Sequence, residues 1–399
     1  MKPLTILHTD FHRGWGGQAS RVLMLSAELA RRGHKVTIAA PEGELTGRAR
    51  RASLDNPGLS VDSGFAFRPP AHVASFSRDV SRMMSLLRRA RFDIVDVHGS
   101  QDTWVTAGAR MIGGLPSCLV MTRHNTKRVR TGLANRLLYG RLIDHLVIVD
   151  ESIRQQYAPF LSSGALSDGM ISVIPSAFRA DLFHPGVSGA RVRTELGLGE
   201  QHAVVGVAGR LVADKGHIFL MRAVSMLAAG QPQLRLVFAG LGPLEAQLKA
   251  QAVELGLAGR VHFLGFRADI NEVEAAFDIA VLPSVGCDAS SASIKEAMAL
   301  GVPVVASDIG GARSLINDGV TGLVVPPGDA AALAAALGRL LLDRQSARRM
   351  AHDAQLQVGE RYSISRLTDQ TLRAYEAALT GSRRARRAEA PGPLAGRIV

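Results

Sequence analysis

The sequence predicts a doubly wound α/β chain made of two successive Rossmann-like units. Three observations predict it: short β-branched runs alternating with amphipathic stretches, glycine-rich turns closing the runs, and a restart of the same rhythm near Ala203, midway along 399 residues. In the first half Leu4–Thr9 reads as a buried strand and His12–Gly17 as a loop. Gln18–Arg32 has helical spacing and stops at Gly33, and Lys35–Ala40 is the next strand. Asp93–Val97, Cys118–Thr122 and His145–Val149 follow as strands. The second half gives strands at Ala203–Ala208, Leu234–Ala239, Val261–Gly265, Ile279–Leu282, Val304–Ala306 and Gly322–Val325, with helices at His217–Ala229, Leu244–Leu255 and Ser291–Leu300. Phe183–Leu198, with Pro185, Gly186 and Gly189, reads as the connection. The expected division is a first domain 1–182 and a second 183–364, with a helix at 365–380, including Tyr375, packing back on the first. A disordered basic tail is expected over 381–399.

Composition removes several classes. With 47% hydrophobic and 21% charged residues, wholesale disorder is excluded. No apolar run approaches the roughly 18 residues of a membrane span. Nothing at the N-terminus reads as a signal peptide, so the expected location is cytoplasmic. Cys118 and Cys287 are too few for a disulfide framework or a cysteine metal site. The net charge of +12 favours phosphate-bearing partners without choosing among them.

Three segments carry candidate chemistry. Gly209-Arg210-Leu211-Val212-Ala213-Asp214-Lys215-Gly216 follows a strand and precedes a helix, where backbone amides and two cations suit a diphosphate. Gly240-Leu241-Gly242-Pro243 repeats the strand–turn–helix pattern, a weak signal alone. In Leu282–Ala299, Asp288 lies in a loop and Glu296 in the following helix. These two carboxylates can accept hydrogen bonds from sugar or ribose hydroxyls.

The order of these segments resembles the group-one, or family-four, retaining glycosyltransferases of GT-B fold. The matching residues are Gly209, Arg210, Leu211, Lys215 and Gly216; Gly240, Gly242 and Pro243; and Pro283, Ser284, Glu296-Ala297-Met298-Ala299, Gly301, Pro303 and Val304-Val305-Ala306. Gly310-Gly311 and Asp318-Gly319 through Asp329 complete the set. Asp288 stands where the family usually has Glu, and Ala289, Ser290 and Ser291 replace its glycines and phenylalanine. Ser176-Ala177 replaces its linker Asn-Gly.

The resemblance implies two Rossmann-like domains facing across a cleft. It also implies sugar transfer from a nucleotide diphosphate sugar to an acceptor hydroxyl with retention, in lipopolysaccharide or capsule assembly. Arg210 and Lys215 would stabilise the departing diphosphate, Glu296 would hold the ribose and Asp288 the donor sugar. His124 would contact sugar or acceptor, with His98 beside it. Gly16, Gly17, Gly209, Gly240, Gly242, Ser290, Ser291 and Ser293 would complete the substrate site. The nucleotide sugar is a co-substrate, and with no Asp-x-Asp triplet no essential metal or other cofactor is expected. The acceptor would be a glycan or lipid-linked. Basic stretches at Arg78, Arg82, Arg88, Arg89 and Arg91, and at Lys127, Arg128, Arg130, Arg136 and Arg141, suggest peripheral docking on an anionic membrane.

Other readings fit less well. A nicotinamide dehydrogenase needs a Gly-x-Gly-x-x-Gly turn that neither half has. A nucleic-acid binder needs more stacking platforms than 5% aromatics provide. A catalytically silent nucleotide-sugar binder or scaffold of the same fold is the remaining alternative.

Overall fold

A computed structural model describes residues 2–114, 117–286 and 291–389, with side chains as far as 381. The first unit holds β1 (Thr5–Thr9), β2 (Lys35–Ala39), β3 (Leu59–Asp62), β4 (Ile94–Val97), β5 (Cys118–Arg123), β6 (His145–Ile148) and β7 (Ile171–Val173). The second holds β8 (Ala203–Ala208), β9 (Leu234–Ala239), β10 (Val261–Gly265), β11 (Ile279–Leu282), β12 (Val304–Ser307) and β13 (Leu323–Val325). The orders are β3-β2-β1-β4-β5-β6-β7 and β10-β9-β8-β11-β12-β13, and the strand pairs are parallel. Two Rossmann-like sheets are therefore present.

The near-continuous apolar strands follow from burial of both sheet faces. In the first unit Leu7, Val95, Leu119 and Leu146 face helices carrying Val80, Met83 and Val105. Their neighbours Ile6, Ile94, Val120 and Val147 face Val22, Leu25 and Leu29 on the other side. The second sheet divides likewise: Val205, Leu236 and Val281 pack one side, Val204, Val237 and Leu282 the other. β3 and β7 have no counterpart in the sequence reading, because segments of 4 and 3 residues offer too little periodicity.

Ala177 packs in the first unit's core and Phe178 in the second's. The chain thus crosses a few residues before the boundary read at 182/183. Phe183, Val192 and Leu198 are core residues of the second unit rather than a loose connection. After Tyr362, in the second core, the helix Ile364–Glu389 returns to the first unit, burying Leu367, Ala374, Tyr375 and Ala378 in its core. That helix runs through Glu389, which corrects the expectation of disorder from 381 onward. The Arg, Ala and Glu residues at 383–389 are good helix formers and include no glycine or proline. The remainder of the tail, from 390, lies outside the described residues.

The crossing is held from both sides. Arg21 Nη1 donates to Ile174 O (2.9 Å) and Ser176 Oγ (3.2 Å), while Lys295 Nζ donates to Ser176 O (2.7 Å). Both cationic side chains are buried. One linker residue is therefore tied to the helix Gly17–Arg31 of the first unit and to the helix Ala292–Leu300 of the second.

Candidate functional site

The three segments singled out in the second half meet at the carboxyl ends of β8, β9 and β11. Gly209 N donates to Ala239 O (2.9 Å), Leu211 N to Leu241 O (3.0 Å) and Leu244 N to Leu211 O (3.2 Å). Val285 N and Gly286 N both donate to Asp214 O, at 2.9 and 3.1 Å. The Arg210–Lys215 loop is thus clamped between the other two turns by backbone bonds. A Cβ on Gly240 would stand 2.0 Å from Gly209 O, and one on Gly216 2.0 Å from Pro283 O. Gly216 also has φ +65°, a left-handed conformation that side chains disfavour. Both positions therefore need glycine for the loops to touch.

On this clamp Arg210 is exposed and Lys215 half-buried. Gly209 has open space where a side chain would be, and Gly242 lies against Leu211. Ser291 is buried, and Ser293 and Glu296 are half-buried on or beside the helix Ala292–Leu300. Desolvation pushes the Glu296 carboxyl above its ordinary range, and Lys295 opposes this. Behind it Glu274 is buried with neither oxygen hydrogen-bonded. Burial and the charge on Glu296 hold its carboxyl protonated well above the usual range. Asp288 and Ser290 lie outside the described residues. A cavity of about 490 Å³ lined by Lys249, Val253, His262 and Phe263 lies elsewhere, and none of the candidate residues lines it.

In the first unit Gly16 and Gly17 are exposed at the start of the helix Gly17–Arg31, with nothing within 4 Å of an added Cβ. The helix start there is exposed, as the approach of an anion requires. His98 follows β4 and is buried. Its Nδ1 lies 3.0 Å from Nε2 of half-buried His124, which follows β5. Burial keeps both rings neutral, His98 down at about 3 and His124 well below its usual value.

Several charged groups at these strand ends were not singled out from sequence. Asp10, at the end of β1, accepts from Gln18 (3.1 Å) and pairs with His12 (2.9 Å), whose ring that hydrogen bond moves upward in pKa. Asp102 accepts from Thr9 Oγ1 (2.6 Å) and from the amides of His98 and Gly99, both 3.1 Å. Asp96, inside β4, accepts from Tyr375 (2.7 Å) and Thr122 (2.8 Å). The available signal was an acid within an apolar strand, a position where burial demands partners.

Among the described residues, His8, Asp96 and His98 bring atoms able to bind a metal within 4.8 Å of one another. Both His8 nitrogens are already engaged, by Ser26 and Tyr375, and buried Arg21 adds positive charge nearby. The group reads as a hydrogen-bond network.

Comparison with known proteins agrees with this architecture. Residues 15–178 match the model of Glycosyltransferase Family 4, and residues 190–357 that of Glycosyl transferases group 1. D-inositol 3-phosphate glycosyltransferase of Mycobacterium marinum is 29% identical over 418 residues, covering 96% of this chain and 85% of the relative. The GDP-mannose-dependent alpha-(1-6)-phosphatidylinositol monomannoside mannosyltransferase of Mycolicibacterium smegmatis is 30% identical over 327 residues, covering 79% and 76%. The chain belongs to the group 1, family 4 glycosyltransferases.

Its fold resembles the crystal structure of Anabaena Alr3699/HepE in complex with UDP, with TM-score 0.78, 23% identity, and coverage of 94% of this chain and 100% of that one. The protein is accordingly a glycosyltransferase of GT-B fold. Within this glycosyltransferase, Asp102 offers a measurable electrostatic consequence. Burial first, and the neighbouring Asp10 second, push its carboxyl up to about 7. Because the folded value exceeds the unfolded one, the folded state is favoured by the proton, and stability is lost as pH rises from about 4 to about 7. Asp102→Asn keeps an acceptor oxygen but has no charge to bury. Urea unfolding should show the variant gaining stability relative to the parent as pH goes from 5 to 8. A constant difference would remove the assigned cause.

Proposed function

We propose that this glycosyltransferase transfers a sugar from a nucleoside diphosphate sugar to an acceptor hydroxyl with retention of anomeric configuration. The observation that carries the reading is the backbone clamp that sets Arg210 and Lys215 among glycine turns at the carboxyl ends of β8, β9 and β11. As the glycosidic bond to the diphosphate breaks, negative charge builds on the leaving group while the sugar becomes oxocarbenium-like. Fixed cations and amides at that position lower the barrier without reorganising. Glu296 then holds the ribose through hydroxyl donors and Asp288 the transferred sugar. His124 and His98 contact sugar or acceptor from the first unit, beside the open helix start at Gly16 and Gly17. The reading draws charge stabilisation from the protein and calls for no metal ion.

Arg210→Ala and Lys215→Ala should each lower kcat about 10–100-fold, the cost of one charged hydrogen bond of about 1.5–3 kcal/mol. Turnover of a panel of UDP-, GDP- and ADP-sugars measures this, and the proton coupling at the product's anomeric centre reports retention. Full kcat in both variants, or an inverted product, contradicts the proposal.

The acceptor belongs to surface-glycan assembly at the cytoplasmic face of the membrane. Relatives named for inositol phosphate and phosphatidylinositol mannoside chemistry favour an anionic, lipid-linked polyol or glycan over lipopolysaccharide or capsule as such. Among the described residues no helix is long and apolar enough to cross a membrane, so contact with a lipid acceptor would be peripheral. Of the two basic stretches, the first commits its apolar side inward: Val80, Met83 and Leu87 are buried. The second buries Leu138 but leaves Leu133 83% exposed, and Ile112, on the helix Ser100–Gly113, is 71% exposed. Arg110 ties Ile112's helix to the end of the short helix Leu138–Leu142 (2.7 Å), and Lys127, Arg128, Arg130, Arg136 and Arg141 are exposed. Flotation with phosphatidylglycerol vesicles at moderate salt should carry the protein upward, and Leu133→Asp with Arg136→Glu should release it. Flotation indifferent to both changes, or absent altogether, overturns the docking surface.

A further inference from the structure

Tyr375 belongs to the helix that returns from the second unit, yet its hydroxyl ends inside the polar network under the first unit's candidate site. The residue is fully buried. Its hydroxyl donates to Asp96 Oδ2 (2.7 Å), so the same oxygen is left to accept from His8 Nε2 (3.0 Å). His8 therefore carries its proton on Nε2 and accepts at Nδ1 from Ser26 Oγ (2.7 Å). Thr122 Oγ1 donates to the other Asp96 oxygen (2.8 Å). The two hydroxyl donors favour the carboxylate form of Asp96, against the burial that raises its pKa.

That carboxylate, which also feels the buried Arg21, lies beside His98, a ring that Asp10 and Arg21 act on as well. His98 Nε2 is 3.7 Å from Asp96 Oδ1, too far for a hydrogen bond but near enough for the charge to select a tautomer. The nitrogen is buried and has no other partner. A proton on Nε2 faces the negative charge, whereas a lone pair there would oppose it. His98 Nδ1 is then the acceptor in the 3.0 Å contact with His124, which must supply its Nε2 proton. His124 Nδ1 keeps its lone pair.

We propose that Tyr375 is a positioning residue that acts through Asp96 to fix the tautomers of His98 and His124, presenting His124 Nδ1 as a hydrogen-bond acceptor for a substrate hydroxyl. The helix sequence thereby joins the far end of the chain to the chemistry of the first unit. Loss of the tyrosine hydroxyl frees Asp96 Oδ2 to turn and weakens the bias on His98. The consequence for turnover rests on the reading that these histidines meet the sugar or acceptor.

The test uses the full chain labelled with ¹⁵N-histidine. Long-range proton–nitrogen spectra near pH 7.5 report the tautomer of each ring, with His98→Gln and His124→Gln providing assignments. The parent should show Nε2–H on both rings. Tyr375→Phe should give mixed tautomers at both, with kcat down about tenfold and KM for the nucleotide sugar within about twofold. Asp96→Asn, which turns an amide towards His98, should reverse both tautomers and guards against poor folding of the first variant. Unchanged tautomers in Tyr375→Phe overturn the inference. Changed tautomers with unchanged kcat sustain the positioning role and overturn the reading that the histidines act on substrate.

Discussion

The contact of backbone on backbone between the Arg210–Lys215 loop and its two flanking turns is the constraint on which the proposed donor side depends. Flexible side chains could place two cations near a phosphate only at an entropic cost on every encounter. Here the loop is bonded to the Gly240 turn on one side and to Pro283–Gly286 on the other, so its direction is fixed by the sheet beneath it. The backbone from which both cations project is preorganised before any ligand arrives, a condition that favours electrostatic stabilisation.

A second constraint concerns the two units together. Each contributes half of the proposed site, so their separation must be set by something stiffer than a polar linker. Ser176 is bonded to both units: its hydroxyl accepts from Arg21 and its carbonyl from Lys295. Arg21 rides the helix that starts at Gly17, and Lys295 adjoins Glu296 in sequence. The grip on the linker is therefore one residue away from the acid proposed for the ribose. Burial of two cations at a crossing is tolerable because each has carbonyl or hydroxyl partners.

Much of this was legible in the sequence, for reasons that differ by element. Strands such as β8, β9 and β11 were readable residue by residue, because burial on both faces forces apolar runs; β10, an edge strand of intermediate exposure, was marked by the turn glycines around it. The edge strands β3 and β7 were not, being short and half covered. The glycine turns at the ends of β8, β9 and β11 were legible because close backbone approach leaves marks in one short segment; Arg210, Lys215 and Glu296 stood out there by their charge, and their roles are proposals. The hydrogen bonds of Asp96, Tyr375, Arg21 and Lys295 were invisible in the sequence. Their partners lie far along the chain, Tyr375 being 279 residues from Asp96, and no local pattern records such a contact. The tail misread as loose from 381 shows the reverse error: its charge suggested solvation while its arginines and alanines favoured helix.

The most direct test of the account is how strongly the protein distinguishes a nucleoside diphosphate from the corresponding monophosphate. Calorimetric affinities for the diphosphate and monophosphate of the preferred nucleoside give a ratio for the parent and for the Arg210→Ala, Lys215→Ala double variant. If fixed cations on the clamped loop hold the second phosphate, the parent strongly favours the diphosphate and the double variant brings the ratio close to one. A preference that survives intact in the double variant would place the diphosphate elsewhere and contradict the account.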